Sequence, residues 1–135
     1  MIALDTSVAV AAALPWHEQH AVARAGLPRT KPRLLAQVAV ETYSVLTRLP
    51  PPQRVPALDA RAFLKETFAL PLLVLSPGGY DDLLELAAER DITGGSVYDA
   101  LVAAAAREAG ATLLSLDRRA IATYQLVQVD YRLVA

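Results

Sequence analysis

The sequence predicts an α/β fold: one domain over residues 1–135, in three layers (α/β/α), around a mostly parallel sheet. Three observations carry this. Short, nearly continuous apolar runs recur along the chain, as strands covered on both faces require. Segments with helical spacing separate them, the order that builds parallel sheets through crossover helices. The chain has 135 residues and 54% of them are apolar, enough for one compact core.

Each element has a local reason. Ile2–Leu4 is a short apolar run ended by Asp5, Thr6 and Ser7, and it opens into a helix over Ser7–Leu14 that Pro15 stops. A second helix is expected over Trp16–Ala25, closed by Gly26. Leu27–Arg33 is basic and punctuated by prolines, so it reads as loop. Leu34–Leu35 reads as the end of a strand. The helix that follows, to about Leu49, puts Leu35, Val38, Thr42, Val45, Leu46 and Leu49 on one stripe and ends at Pro50–Pro52. Pro56–Phe68 reads as a helix with Leu58, Ala62, Phe63 and Phe68 inward. Leu72–Leu75 is strand-like, and Asp81–Glu89 belongs to an amphipathic helix ending near Asp91. Gly94 and Gly95 precede an alanine-rich helix over Ser96–Ala109 capped by Gly110. Thr112–Leu116 is a strand, Arg118–Tyr124 a short helix and Leu126–Val129 a last strand.

Composition excludes several function classes. Thirteen basic and fourteen acidic residues leave a formal charge of −1. A uniform electrostatic grip on nucleic acid is excluded, so contact with phosphate needs local clustering or bound cations. There is no cysteine, hence no disulfide, thiol nucleophile or thiolate metal site. His17 and His20 stand i,i+3 in a polar stretch and read as a solvated helix face, since zinc would need further ligands. The opening MIALDTSVAVAAAL lacks a basic residue before its apolar part and is interrupted by Asp5, unlike a secretion signal. No apolar run approaches the ~20 residues that span a bilayer. The expectation is a soluble, cytoplasmic protein.

Ligands of open parallel sheets sit beyond the carboxyl ends of the strands. Asp5 and Asp117 occupy that edge, following the strands that end at Leu4 and Leu116. Asp99 lies one turn into the alanine-rich helix, and Glu41 lies in the middle of the third helix. Helix capping is an alternative reading for Asp5 and Asp117, and a capping-box spacing from Ser96 for Asp99. Glu41 is no cap. It sits roughly 90° from the centre of its apolar stripe, at the margin of the buried face, without Lys or Arg at i±3 or i±4. If the four carboxylates converge, charges within ~4–6 Å raise one another's pKa unless something positive intervenes. The chain has only two lysines, Lys31 and Lys65. A hard divalent cation with oxygen ligands, Mg²⁺ or Mn²⁺, is the economical solution, and it can activate water and stabilise charge on a phosphodiester. Thr6, Ser7 and Ser115 offer hydroxyls nearby.

LDTSV at residues 4–8, the lone Glu41, GGSVYDALVAAAA around Asp99 and LLSLDRRA around Asp117 together resemble the PIN-domain ribonucleases, most of all the VapC toxins of prokaryotic toxin–antitoxin pairs. The likeness covers the whole chain. It implies a five-stranded parallel sheet with an acidic pocket at the strand ends, and a Mg²⁺- or Mn²⁺-dependent endoribonuclease toxin. It also implies a cognate antitoxin, whose peptide lies over the acidic pocket and often places an arginine there, and a homodimer. Asp5, Glu41, Asp99 and Asp117 match the family's acidic quartet. Asp5 and Asp99 are then the chief metal ligands, Asp117 assists directly or through water, and Glu41 orients or deprotonates the attacking water. Thr6 and Ser115 match the hydroxyl positions that brace the pocket. One departure is Arg119, where many members carry a further acid; it weakens the case for a firmly held second metal ion and places a cation where phosphate docks.

Arg118 and Arg119 directly follow Asp117 and are candidate RNA contacts, whereas Arg29, Lys31 and Arg33 read as solvated surface charge. Trp16 and Tyr98, beside apolar neighbours, read as core. Rival chemistries lack their residues. G-x-G-x-x-G and G-x-x-x-x-G-K-[ST] do not occur. A phosphate-receiving signalling domain wants paired acids after its first strand and a late lysine, and a dehalogenase-like phosphatase wants Asp-x-Asp where this chain reads Asp5-Thr6-Ser7. The remaining alternative is a catalytically silent PIN-like module that binds RNA or protein.

Overall fold

The computed structural model describes residues 1–134. Its elements run β1 (Ile2–Leu4), α1 (Thr6–Ala13), α2 (His20–Gly26), β2 (Arg33–Leu35), α3 (Ala36–Thr47), α4 (Ala57–Thr67) and β3 (Ala69–Leu73). They continue with α5 (Pro77–Glu89), α6 (Ser96–Glu108), β4 (Thr112–Ser115), a 3₁₀ turn (Arg118–Ala120), α7 (Ile121–Val127) and β5 (Tyr131–Leu133). The α/β architecture expected from the sequence is present. β4 lies between β1 and β5, with Leu4 opposite Leu114 and Ser115 opposite Leu133. β2 pairs with β3, and every pair is parallel. The five strands are therefore divided between a three-stranded and a two-stranded ladder, with β2 packed beside β1, rather than bonded as one continuous sheet. Strands of three residues offer few ladder bonds, and a register shift between Arg33 and Leu35 disturbs the second ladder further.

Helices cover the strands in two groups. α1 packs on α2 and α3, and α3 on α4; α6 packs on α5 and α7 and reaches β4 and β2. Leu4, Leu34, Leu35, Leu113 and Leu114 are fully buried between them, each contributing about 1.5–3 kcal/mol by leaving water. α1 and α6 sit deepest because their inward residues are small. Ala9, Ala11 and Ala12 of α1, and Ala100, Ala103 and Ala106 of α6, have no exposure, so their backbones approach the strands closely.

Several boundaries differ from the sequence reading. α2 starts at His20, because Trp16–Gln19 form turns instead: His17 N–H donates to the Leu14 carbonyl, and Gln19 N–H donates to the His17 ring at 3.0 Å. The two histidines do not share a helix face, and His20 Nδ1 lies 2.8 Å from the Ala11 carbonyl oxygen. Trp16 and Tyr98, expected in the core, are exposed. α4 turns Ala60, Phe63 and Leu64 inward and leaves Leu58 and Ala62 exposed. β3 comes earlier than Leu72–Leu75. α5 also starts earlier, with Ser76 capping it through a 3.0 Å bond from Gly79 N–H and Pro77 at its first position. Leu126–Val129 is not the last strand. Leu126 and Val127 finish α7, Gln128 reverses the chain at φ 65°, and the strand follows at Tyr131–Leu133.

Candidate active site

The parallel pairing of β1 and β4 brings the residues that follow them to one edge of the sheet. Asp5 N–H donates to the Leu114 carbonyl at 3.0 Å, so β1 and β4 carry Asp5 and Ser115–Asp117 out together. Both acids also cap. Asp5 Oδ1 accepts from Val8 N–H at 3.2 Å at the start of α1, and Asp117 Oδ1 accepts from Arg119 N–H at 3.0 Å. The capping alternative is thus real, and the cap takes one acceptor position of each carboxylate.

Asp5 is only 5% exposed. The Ser7 hydroxyl donates to its Oδ1, and the Tyr124 hydroxyl donates to its Oδ2 at 2.8 Å. Burial pushes its pKa up, and hydrogen bonds from Ser115, Ser7, Tyr124 and Val8 counter only part of this. Among the described residues, no cationic side chain pairs with it. Ser7 Oγ accepts from Leu116 N–H at 2.9 Å, tying the start of α1 to the segment after β4, and Ser115 Oγ accepts from Asp117 N–H at 3.0 Å within that segment.

Glu41 projects from α3 toward α1. Its Oε2 accepts from the Thr6 hydroxyl at 2.7 Å and its Oε1 from the Gln37 side-chain amide at 2.5 Å. Asp99, in the first turn of α6, has its pKa raised first by burial and then by the charges of Asp117, Asp5 and Glu41; Arg119 alone relieves it. Asp99 therefore feels the charges of three acids that come from three other segments. Among the described residues, no three acidic or histidine side chains stand close enough together, as now arranged, to hold a metal ion. The donor set nevertheless suits a hard divalent cation: all its donors are oxygens, and its charge lacks a buried counter-charge.

The two candidate RNA contacts separate. Arg119 is 95% exposed, and its Nε lies 3.6 Å from Asp117 Oδ1. It lines an open cavity of about 410 Å³ together with Thr6, Ser7, His17, Gln19 and Asp117. Arg118 lines a different cavity, with Glu18 and Leu133. Tyr124 was missed by sequence reasoning. It is 1% exposed, its own pKa is driven up by burial and by the Asp5 charge, and a tyrosine among apolar residues reads only as core.

Known proteins share this arrangement of elements. The PIN domain family profile matches residues 2–126. Ribonuclease VapC40 of Mycobacterium tuberculosis is 48% identical over 134 residues, 99% of both chains. Ribonuclease VapC27 of the same organism is 44% identical over 128 residues, 95% of this chain and 93% of its own. Among solved structures, FitAB bound to an IR36 DNA fragment superposes with a TM-score of 0.74 at 18% identity, covering 98% of this chain and 94% of the other. Mycobacterium tuberculosis VapC20, a sarcin–ricin loop cleaving toxin, gives 0.69 at 20% identity, covering 90% and 94%. A match along nearly every residue, at close to half identity and with the same architecture, shows that the chain belongs to the PIN domain family, on its VapC-type ribonuclease branch.

Proposed function

We propose that this chain is the toxin of a VapBC-type toxin–antitoxin pair, a Mg²⁺- or Mn²⁺-dependent endoribonuclease acting in the cytoplasm as one PIN domain. The kinship with VapC40 and VapC27 supports ribonuclease chemistry. The observation that carries the site is the electrostatic state of Asp99: a half-buried carboxyl whose pKa is raised first by burial and then by Asp117, Asp5 and Glu41. Such a cluster is costly without a cation and useful with one.

Asp5 and Asp99 would hold the ion, with Asp117 assisting directly or through water. When bound there, such an ion would lower the pKa of a water and offset charge on the phosphodiester. Glu41, fixed at both oxygens by Thr6 and Gln37, receives the proton of the attacking water. The water oxygen forms a bond to phosphorus, the bond to the leaving ribose oxygen breaks, and that oxygen is protonated from solvent. Arg119, exposed beside Asp117, meets a non-bridging phosphate oxygen. Arg118, in its separate cavity, would touch the RNA chain further from the scissile bond.

The partner implied is an antitoxin that lays a basic side chain over the acids. FitAB bound to DNA and FitAcB from Neisseria gonorrhoeae are solved structures to which this fold is similar. The chain itself would pair with a second copy through the apolar surface of α3, α4 and β3.

Cleavage of RNA by the purified wild type with Mn²⁺, with EDTA, and by Asp99→Asn with Mn²⁺ tests this reading. The expected result is cutting only in the first case, with the variant reduced at least 100-fold, the scale of losing a group that acts on developing charge. Equal cutting by the variant removes the quartet from the mechanism. No cutting by the wild type leaves the silent RNA- or protein-binding module as the reading that stands.

A further inference from the structure

Among the described residues Tyr124 is the largest fully buried side chain, and it comes from α7. Its ring packs against that of Tyr131, with centroids 6.2 Å apart. Phenylalanine would fill the same space without bringing a hydroxyl into the core, where an unpaired donor is costly. That hydroxyl donates to Asp5 Oδ2 at 2.8 Å, across 119 residues of sequence. Oδ1 is meanwhile held by the Ser7 hydroxyl and by Val8 N–H. A carboxylate offers about four acceptor positions on two oxygens. With these donors distributed over both oxygens, and the Ser115 hydroxyl also acting on the carboxylate, Asp5 is pinned against rotation about its last side-chain bond, and of the three donors Oδ2 accepts from Tyr124 alone.

We propose that Tyr124 is a positioning residue for metal binding: its hydroxyl fixes the Asp5 carboxylate so that Oδ2 is presented to the cation. This rests on the reading of Asp5 as a metal ligand given above. Tyr124 itself touches neither metal nor RNA. Partners that orient a metal ligand typically matter about 10–100-fold in metal affinity, which sets the expected effect.

The test is titration of the metal-free chain with Mn²⁺ by calorimetry, for wild type, Tyr124→Phe and Tyr131→Phe. Tyr124→Phe keeps the ring and removes the hydroxyl, and its Mn²⁺ Kd is expected to rise about tenfold. The Mn²⁺ concentration for half-maximal RNA cleavage should rise by the same factor, while kcat at saturating Mn²⁺ stays within about threefold of wild type. Tyr131→Phe, whose hydroxyl accepts from Gln125 instead, reports disturbance of the same aromatic packing and is expected to bind within about twofold of wild type. The proposal is overturned if Tyr124→Phe binds Mn²⁺ as tightly as wild type, or if Tyr131→Phe loses as much. A wild type that binds no Mn²⁺ overturns the metal reading, and this proposal with it.

Discussion

Asp5 holds a carboxylate in a nearly dry place, and its hydrogen-bond donors among the described residues are neutral: hydroxyls and a backbone N–H. Its raised pKa means that the folded chain grips the proton more tightly than the unfolded chain does. Protonation therefore favours folding. The penalty is absent below the ordinary aspartate value of 3.8 and fully present above the raised folded value. Asp5→Asn keeps an oxygen for the Val8 cap and carries no charge. Without metal at pH 7 it should melt above wild type by a few degrees, about what 1 kcal/mol gives in a chain of this size. The gap should narrow as the pH falls toward 4. A gap that is constant or grows with acid, in melting curves over pH 4–8, rules out a charge penalty at Asp5. The acids themselves were legible in the sequence because each interrupts or borders an apolar run. Tyr124 was not, because its only functional atom is a hydroxyl whose partner lies at the other end of the chain. Trp16 and Tyr98 erred the opposite way: apolar neighbours in sequence did not make them core.

At the level of elements, the site is an agreement between α1, α3, α6 and the ends of β1 and β4. Thr6 opens α1 and bonds Glu41 in the middle of α3, so one hydroxyl ties Glu41, the proton acceptor of the proposed mechanism, to the segment that carries Asp5. Thr6→Val preserves shape and β-branching while releasing Glu41. A hydrogen bond to a charged group contributes about 1.5–3 kcal/mol, so kcat for RNA cleavage is expected to fall about tenfold or more. The melting temperature should move by no more than a few degrees, since Glu41 keeps Gln37 and is only half-buried. Unchanged kcat would take Glu41 out of the proton path. The helices were readable where spacing spoke strongly: the α3 stripe of Val38, Thr42 and Leu46 is buried as expected. The strands were readable only in part. Leu126 and Val127 resemble a strand, yet a run of so few apolar residues fits the last turn of a helix equally well, and tertiary packing chose the helix. Ala69–Leu73 pairs with β2 although Pro71 lies within it, which a strand at the rim of a sheet tolerates.

For the whole molecule, the unanswered apolar surface lies apart from the acids. Val40 is 69% and Leu70 70% exposed, and Tyr43 and Leu72 are exposed beside them. With Leu34, Leu64 and Phe68 they line a largely apolar cavity of about 290 Å³ between α3, α4 and β3. Concentrated apolar surface of this kind marks an interaction site more often than ordinary exterior. A net charge of −1 gives two copies little long-range repulsion. β3 is bonded on one side only, by β2, so its other edge is a second element available to a partner. A second copy of the chain satisfies both, and the interface would bury α3 on the side of Val40 while leaving Glu41, which faces Thr6, untouched. Leu70→Glu adds a charge that pairing would have to desolvate unpartnered, a cost of several kcal/mol. Light scattering on eluted protein at tens of micromolar should give twice the chain mass of 14.5 kDa for wild type and a single mass for the variant. The variant's Mn²⁺ affinity should match that of wild type, because none of the four acids lines the cavity that Leu70 lines. A wild type that elutes at single mass, or a variant that still pairs, assigns this face to a different partner.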